Sequence, residues 1–532
     1  MKHKFKLILL TGILLSLGWP TYGFPILLFV ALVPLLDFVQ SNRITSSSNK
    51  NKIIFIYSYL AFLIWNISTT WWIYNSSVFG AIFAILCNTS FYALLITFYH
   101  WALKYLPRVL ASVFLITLWI SFEKFHLFWD FSWPWLNLGN AFSEHIYWIQ
   151  WYEYTGVFGG TLWVLILNFF FLNCYQVFKK DRSLKNLIKK SIPGLLGIAL
   201  PILFSLAIYV TIEEPEAKTE IVLLQPNIDP YQEKYALENE DFKNLMFELS
   251  EIKISNQTDY LLAPETYFAS GSGFDLETFQ NNPFNKSLED QLKKYSKLNL
   301  LTGVQFYQVY RTENEPSPTA NKIQDLFWVD FYNSAVQIAP DKKTQIYHKS
   351  KLVVGVENMP YKSFFRPLLG EFMLDLGGTV SSRATQNERL VFSHSVHGTL
   401  TAPIICYESI YGEFVTEYAR NGAEFFSIIT NDAWWGNTQG HKQLLSYARL
   451  RAIENRRFIA RSANTGISAF INLKGEILNS LKYNNKGSLK GTVGLNHELT
   501  FYSRFGDYIA RFSFYTFLLI LVYALGKVFT KK

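Results

Sequence analysis

What most constrains this chain is a set of eight apolar runs, each close to the length of about 20 residues that a helix needs to cross a bilayer. They lie near residues 5–19, 24–40, 53–73, 78–103, 109–127, 157–178, 191–212 and 511–529. One such run could be a buried core helix, but eight exceed what a soluble core can absorb. The first follows a basic MKHKFK start, as a signal peptide would, yet a second run follows at once and no A-x-A site separates them. It therefore reads as a span. Only 17% of the residues are charged, against about 25% in ordinary globular chains, and the deficit lies ahead of residue 213.

The basic residues between the runs set an orientation. Lys2, Lys4 and Lys6 precede the first run, and Arg43, Lys50 and Lys52 separate the second from the third. Lys104 and Arg108, the tract KKDRSLKNLIKK (179–190), and Lys527, Lys531 and Lys532 follow at alternate connections. All fall on one side, which the positive-inside rule makes cytoplasmic. A bacterial inner-membrane protein with both termini inside and residues 213–510 outside is expected. The net charge of +8 is thus accounted for by lipid contact, and no basic, aromatic-interleaved helix suggests nucleic acid. Three segments follow: a membrane domain over 1–212 with about seven spans, an outer domain over 213–510, and a C-terminal helix with its tail over 511–532. The Trp- and Tyr-rich stretch 128–156 reads either as an interfacial aromatic belt or as a lipid-handling surface.

From residue 219 strands and amphipathic helices alternate. EIVLLQPNI (220–228), DYLLAPET (259–266), LLTGVQFY (300–307), TLTAPIICYES (399–409) and EFFSIITND (424–432) are strand-like. Residues 236–254, 286–297, 411–421 and 441–458 have helical periodicity, and 326–339 with 343–353, then 459–479, fit hairpins. This pattern predicts an α/β domain with sheets sandwiched between helices. Of the three cysteines, Cys87 and Cys174 lie in apolar runs, which leaves Cys406 without a disulfide partner in the outer domain.

Polar groups collect where strands end, the place at which such folds expose their sites. Glu265 follows Ala263-Pro264; Lys349 follows Tyr347-His348, with Glu357 eight residues on; Cys406-Tyr407-Glu408 follows an apolar run; and Asn431-Asp432-Ala433-Trp434-Trp435-Gly436 closes another. Singly each is weak, since a glutamate after proline, a strand lysine or a cysteine after Ile-Ile is usually structural. Together they contain what acyl transfer by a thiol requires. A thiol attacks a carbonyl as thiolate and needs a base; a partly desolvated glutamate suits that work; and the oxyanion needs a fixed positive charge or donors.

This ordered set resembles the nitrilase (carbon–nitrogen hydrolase) superfamily, and within it the membrane-bound apolipoprotein N-acyltransferase family. The latter likeness rests on the membrane front end, WPWLNLGNAF with QWYEYTG, LLQPNI, ICYE, NDAWWG, the stretch from Arg449 to Arg461 followed by Asn464-Thr465-Gly466-Ile467, and FYSRFGDYIARF before the last span. The resemblance implies an αββα nitrilase-like outer domain in which Glu265 is the base, Lys349 stabilises the oxyanion and Cys406 is the nucleophile. Glu357 and Glu408 would be supporting carboxylates, and Tyr407, Trp434 and Asn431 would meet lipid or substrate. It implies transfer of a fatty acyl chain from a phospholipid, through a cysteine thioester, to the α-amine of a diacylglyceryl-modified lipoprotein, with no cofactor or metal and with the protein a monomer. Leu352-Val353-Val354-Gly355-Val356-Glu357 departs from the family's Leu-Val-Pro-Phe-Gly-Glu, keeping the carboxylate and losing the turn. Rival readings are a membrane-tethered amidase, a non-catalytic membrane scaffold, and a Cys-His enzyme using His348, His394, His397 or His441.

Overall fold

Five helices among the described residues are long and apolar enough to cross a membrane: Lys50–Asn75, Val78–Tyr105, Val157–Asp181, Leu184–Thr211 and Tyr508–Thr530. The structure is a computed structural model that describes residues 2–42, 49–229, 233–312, 314, 316–323, 326–358, 360–361 and 382–530. Arg43, Lys531 and Lys532, used above for orientation, lie outside the described residues. Three of the eight expected spans fall short of that length and apolarity. Lys2–Leu17 has 16 residues, and 24–40 breaks into Pro25–Leu27, Leu28–Ala31 and Val33–Ser41, with Pro34 at the restart. Proline lacks the N–H that a continuous helix needs there. Arg108–Phe125 carries Arg108, Glu123 and Lys124 in its 18 residues.

The chain forms two compact units, one of residues 1–74, 81–211 and 505–532, the other of 75–80 and 212–504. In the first, the aromatic stretch 128–156 is divided, with Phe128, Tyr147 and Tyr154 exposed and other rings buried. It folds into short 3-10 turns, Pro134–Leu136, Leu138–Phe142 and Ile146–Trp148, and Trp135, Leu138 and Phe142 are fully buried. Glu123, itself fully buried, anchors these turns. Its carboxylate accepts from Trp119 Nε1 at 3.0 Å, Leu138 N at 2.9 Å and Thr161 Oγ1 at 2.7 Å, tying the turns to two helices.

The second unit contains two sheets. The first is ordered β14-β1-β2-β4-β6-β5, with β3 on β4 and β7 on β6. Its strands are β1 (Lys218–Gln225), β2 (Tyr260–Leu262), β3 (Phe274–Asp275), β4 (Asn299–Tyr310), β5 (Asn321–Ile323), β6 (Phe327–Ile338), β7 (Gln345–His348) and β14 (Gly487–Gly494). The second is ordered β13-β12-β11-β10-β9-β8, from β8 (Phe392–Ser393), β9 (Leu400–Ile405), β10 (Phe425–Thr430), β11 (Ile459–Ala463), β12 (Ala469–Ile471) and β13 (Ile477–Ser480).

Period-two alternation gives each strand two buried faces. Val222, Leu261 and Leu300 face Phe242 and Met246 of helix Asn239–Ser250 and Leu288 and Leu292 of helix Pro283–Leu292. Tyr260 points the other way, its ring 5.4 Å from Phe425 of the second sheet, and Ser462 Oγ donates to Leu224 O across the same gap at 2.7 Å. Helix Gly412–Arg420 packs on β9 and against helix Gln439–Asn455, giving the expected α–β–β–α order. The expected hairpin of β6 and β7 forms, from Ser334↔His348 to Gln337↔Gln345. The closing strand β14, antiparallel to β1 along its whole length, has no counterpart in the sequence reading.

Removing the Glu123 carboxylate strands the donors it collects, and each buried unsatisfied group costs about 1–3 kcal/mol. Glu123→Ala is expected to lower the thermal midpoint in detergent by several degrees, with Glu123→Gln, which keeps an acceptor, recovering most of it; equal losses would contradict this role.

Candidate active site

Four strand ends converge in the second unit. β2, β9 and β10 run parallel to their neighbours β1, β4 and β11, so loops leave their carboxyl ends on one side. Glu265 follows β2, Cys406 follows β9, Asn431 follows β10 and Lys349 follows β7. All four line one cavity of about 540 Å³, together with Glu357, Asn333, Trp434, Trp435, Arg383 and Ser76.

The Lys349 ammonium is the centre of the site. It is 2.8 Å from Glu265 Oε1 and 2.7 Å from Glu357 Oε2, with its side chain 1% exposed. Burial alone would lower its pKa, but the two carboxylates outweigh burial and hold it above the ordinary lysine value. Glu357 shows the converse: burial would raise its pKa, yet Lys349 and then Arg383 hold it below the ordinary carboxylate value. The Lys349 backbone is fixed as well, its N–H donating to Asn333 O at 2.8 Å.

Asn333 escaped the sequence reading. Its Nδ2 donates to Glu265 Oε1 at 2.8 Å and to Glu357 Oε1 at 2.9 Å, so one amide holds both carboxylates around the ammonium. The only signal in the sequence is an amide amid the aromatic and β-branched residues of 327–338, a type depleted from strands. Gly303 is a second such residue. A Cβ there would lie 2.2 Å from Thr266 N and 2.6 Å from Pro264 O, so only glycine lets the Glu265 turn lie on β4.

Cys406 begins the turn after β9 with φ of +49°, a left-handed conformation rare for a side-chain-bearing residue. Such strain persists where the surroundings over-determine it. Glu408 does so here, accepting from Ile405 N at 2.8 Å, Ser350 N at 2.7 Å and Tyr347 Oη at 2.7 Å. It binds the cysteine turn to the segment carrying Lys349 without touching the ammonium. Burial, then the Glu265 carboxylate, push the Cys406 thiol well above its ordinary value, and Lys349 pulls it down.

The other expected site residues divide. Asn431 donates its backbone N–H to Glu265 Oε2 at 3.1 Å, so it holds the carboxylate in addition to lining the cavity. Trp434 lines the cavity, whereas Tyr407 is 2% exposed, meets Tyr411 edge to face and does not line it. Lys351 does not share a strand face with Lys349, because β7 stops at His348; its ammonium sits 5.0 Å from the Tyr411 ring centre. None of His348, His394, His397 and His441 lines the cavity; His348 is paired with Ser334 Oγ at 2.7 Å. The variant segment 352–357 makes its own turn, in which Gly355 has φ of +79° and donates to Asn358 O, and Glu357 N donates to Val353 O. The lost Pro-Phe-Gly pattern therefore leaves Glu357 on Lys349.

Comparison with known proteins agrees over most of the length. A family model described as carbon–nitrogen hydrolase matches residues 223–497, and one described as the apolipoprotein N-acyltransferase N-terminal domain matches residues 11–170. The chain is similar to an apolipoprotein N-acyltransferase of Chlorobaculum tepidum, 28% identical over 527 residues that cover 96% of this chain and 94% of that one. It is also similar to apolipoprotein N-acyltransferase 1 of Treponema denticola, 25% identical over 571 residues that cover 100% and 99%.

The raised thiol gives a direct check. With Cys87 and Cys174 changed to serine, alkylation of Cys406 is expected to keep accelerating above about pH 8.5, the ordinary thiol value. Lys349→Met, by removing the group that lowers the thiol pKa, shifts the rise to still higher pH; a plateau below about pH 8 would contradict the charge balance described.

Proposed function

The chain belongs to the carbon–nitrogen hydrolase family, and we propose that it is an N-acyltransferase that moves a fatty acyl chain from a membrane phospholipid to the α-amine of a diacylglyceryl-cysteine at the N-terminus of lipoproteins. That it is an acyltransferase enzyme follows from its family and its named relatives. The observation that carries the finer reading is the single cavity in which Cys406 stands with an ammonium gripped by two carboxylates.

Glu265 takes the Sγ proton as sulfur attacks the ester carbonyl, so the site gains no net charge in a place where a second free anion would be costly. The oxyanion forms against the Lys349 ammonium, aided by backbone N–H groups at the cysteine turn. Collapse breaks the ester C–O bond, and Glu265 returns its proton to the departing lysophospholipid oxygen. A thioester remains on Cys406. The lipoprotein amine then attacks it, Glu265 takes the amine proton, and the amide forms as the thiolate leaves and is reprotonated. Glu357 and Asn333 keep Lys349 and Glu265 in register throughout. The apolar helices support membrane-held substrates; the basic clusters support an outward-facing catalytic domain with both termini in the cytoplasm.

Intact-mass analysis of protein purified from membranes tests this. The expected result is a hydroxylamine-labile acyl adduct that disappears in Cys406→Ser and persists when Cys87 or Cys174 is changed. In single-turnover acylation, Lys349→Met is expected to lose about 10²–10³ in rate, the usual cost of an oxyanion donor. Lys351→Met, at a ring-packed surface charge, loses less than about tenfold, under 1.4 kcal/mol. An adduct surviving Cys406→Ser, or a larger loss at Lys351, would overturn the assignment.

A further inference from the structure

Among the described residues that line the cavity, Arg383 is the one charged group that the reaction above leaves unused. Its backbone is tied to the site: Arg383 N donates to Glu357 O at 3.0 Å, Ser382 Oγ to Asn358 Oδ1 at 2.7 Å, and Ala384 N to Phe331 O at 2.8 Å. Among the described residues its guanidinium gives one hydrogen bond, Nη2 to Gln305 Oε1 at 3.1 Å, while Nη1 is buried with no hydrogen-bond partner there.

A structural role as counter-ion to Glu357 is the plain alternative, and Arg383 does favour that carboxylate's charged form. The hydrogen bonds point elsewhere. Glu357 Oε1 already accepts from Asn333, and Oε2 from Lys349 Nζ at 2.7 Å and Val353 N at 2.9 Å. The guanidinium is therefore not needed to satisfy it. A buried charged donor without an acceptor is costly, and a cavity-lining one is satisfied when an anion enters.

The cavity's fixed charges, Glu265 and Glu357 against Lys349 and Arg383, cancel, so an incoming anion is not opposed by net charge and can take up the unpartnered Nη1 of the guanidinium. We propose that Arg383 binds the phosphodiester of the acyl donor and so makes the site selective for glycerophospholipids over uncharged acyl esters. A guanidinium fork matches two phosphate oxygens in plane, as an ammonium does not. In a glycerophospholipid the phosphate is joined through the glycerol carbons to the ester under attack, so gripping it also positions the carbonyl at Cys406. The proposal rests on the phospholipid-donor reading above.

The test compares single-turnover acylation of Cys406 by a phosphatidylglycerol donor and by the p-nitrophenyl ester of the same fatty acid, in wild type and in Arg383→Gln. The expected result is a fall of about 10- to 100-fold, the worth of a charged hydrogen bond, in the ratio of phospholipid to neutral-ester efficiency, carried by KM more than by kcat. An unchanged ratio overturns the proposal. Should the variant fail to fold, wild type suffices. A non-cleavable diether phosphatidylglycerol should compete with the neutral ester at least about tenfold better than the matching diether glycerol without phosphate, and equal competition overturns the proposal. Wild type that is acylated by the neutral ester and not by any phospholipid instead refutes the donor reading itself.

Discussion

The Lys349 ammonium between Glu265 and Glu357 is the constraint on which the rest of the catalytic unit depends. A cation buried to this degree is tolerated only when its partners are close and themselves hydrogen-bonded. Here the partners come from different elements: one carboxylate after β2, another from the turn at 353–358, and the ammonium from just beyond β7. The first sheet has to bring those ends together or leave an uncompensated charge, and Asn333, on the strand beside β7, meets both carboxylates at once. The cluster therefore constrains how these elements are arranged, whatever chemistry it serves.

Two strained backbone positions flank it. Thr266 and Cys406 both have positive φ, each immediately at a group with a proposed chemical role. Positions of this kind cost about 1–3 kcal/mol each, offset by the surrounding strands and by the fully satisfied Glu408. Such turns aim Glu265 and the thiol into the cavity rather than along the sheet. Gly303 belongs to the same device, since the Glu265 turn reaches Lys349 only by lying directly on β4.

Much of this was legible in the sequence because the groups stand at strand ends marked by Pro264, by the Ile404-Ile405 run and by the Asn431–Gly436 turn. What was not legible depends on distance along the chain. β14 pairs with β1 across more than 250 residues, and nothing local in Gly487–Gly494 announces it. Asn333 and Arg383 lack flanking punctuation, and their roles appear only once β6 and the 382–384 return lie beside the site. The stretch 128–156 was legible in part. Its aromatics pointed to an interface, and Phe128, Tyr147 and Tyr154 are exposed, but nothing local announced that Trp135, Leu138 and Phe142 would be buried beside a glutamate that holds Leu138 N. The expected strand through Lys351 failed because β7 ends where Lys349 has to leave the sheet to meet Glu265.

The most direct measurement of the central claim is an experimental structure of the acylated protein, trapped with a phospholipid donor in the absence of any acceptor. The account predicts an acyl chain joined to Cys406 Sγ with its carbonyl oxygen within hydrogen-bond reach, about 2.7–3.1 Å, of Lys349 Nζ, and with Glu357 and Asn333 still in place around the ammonium. An acyl group on another atom, or a carbonyl turned away from an ammonium that remains bound only to its carboxylates, would contradict it.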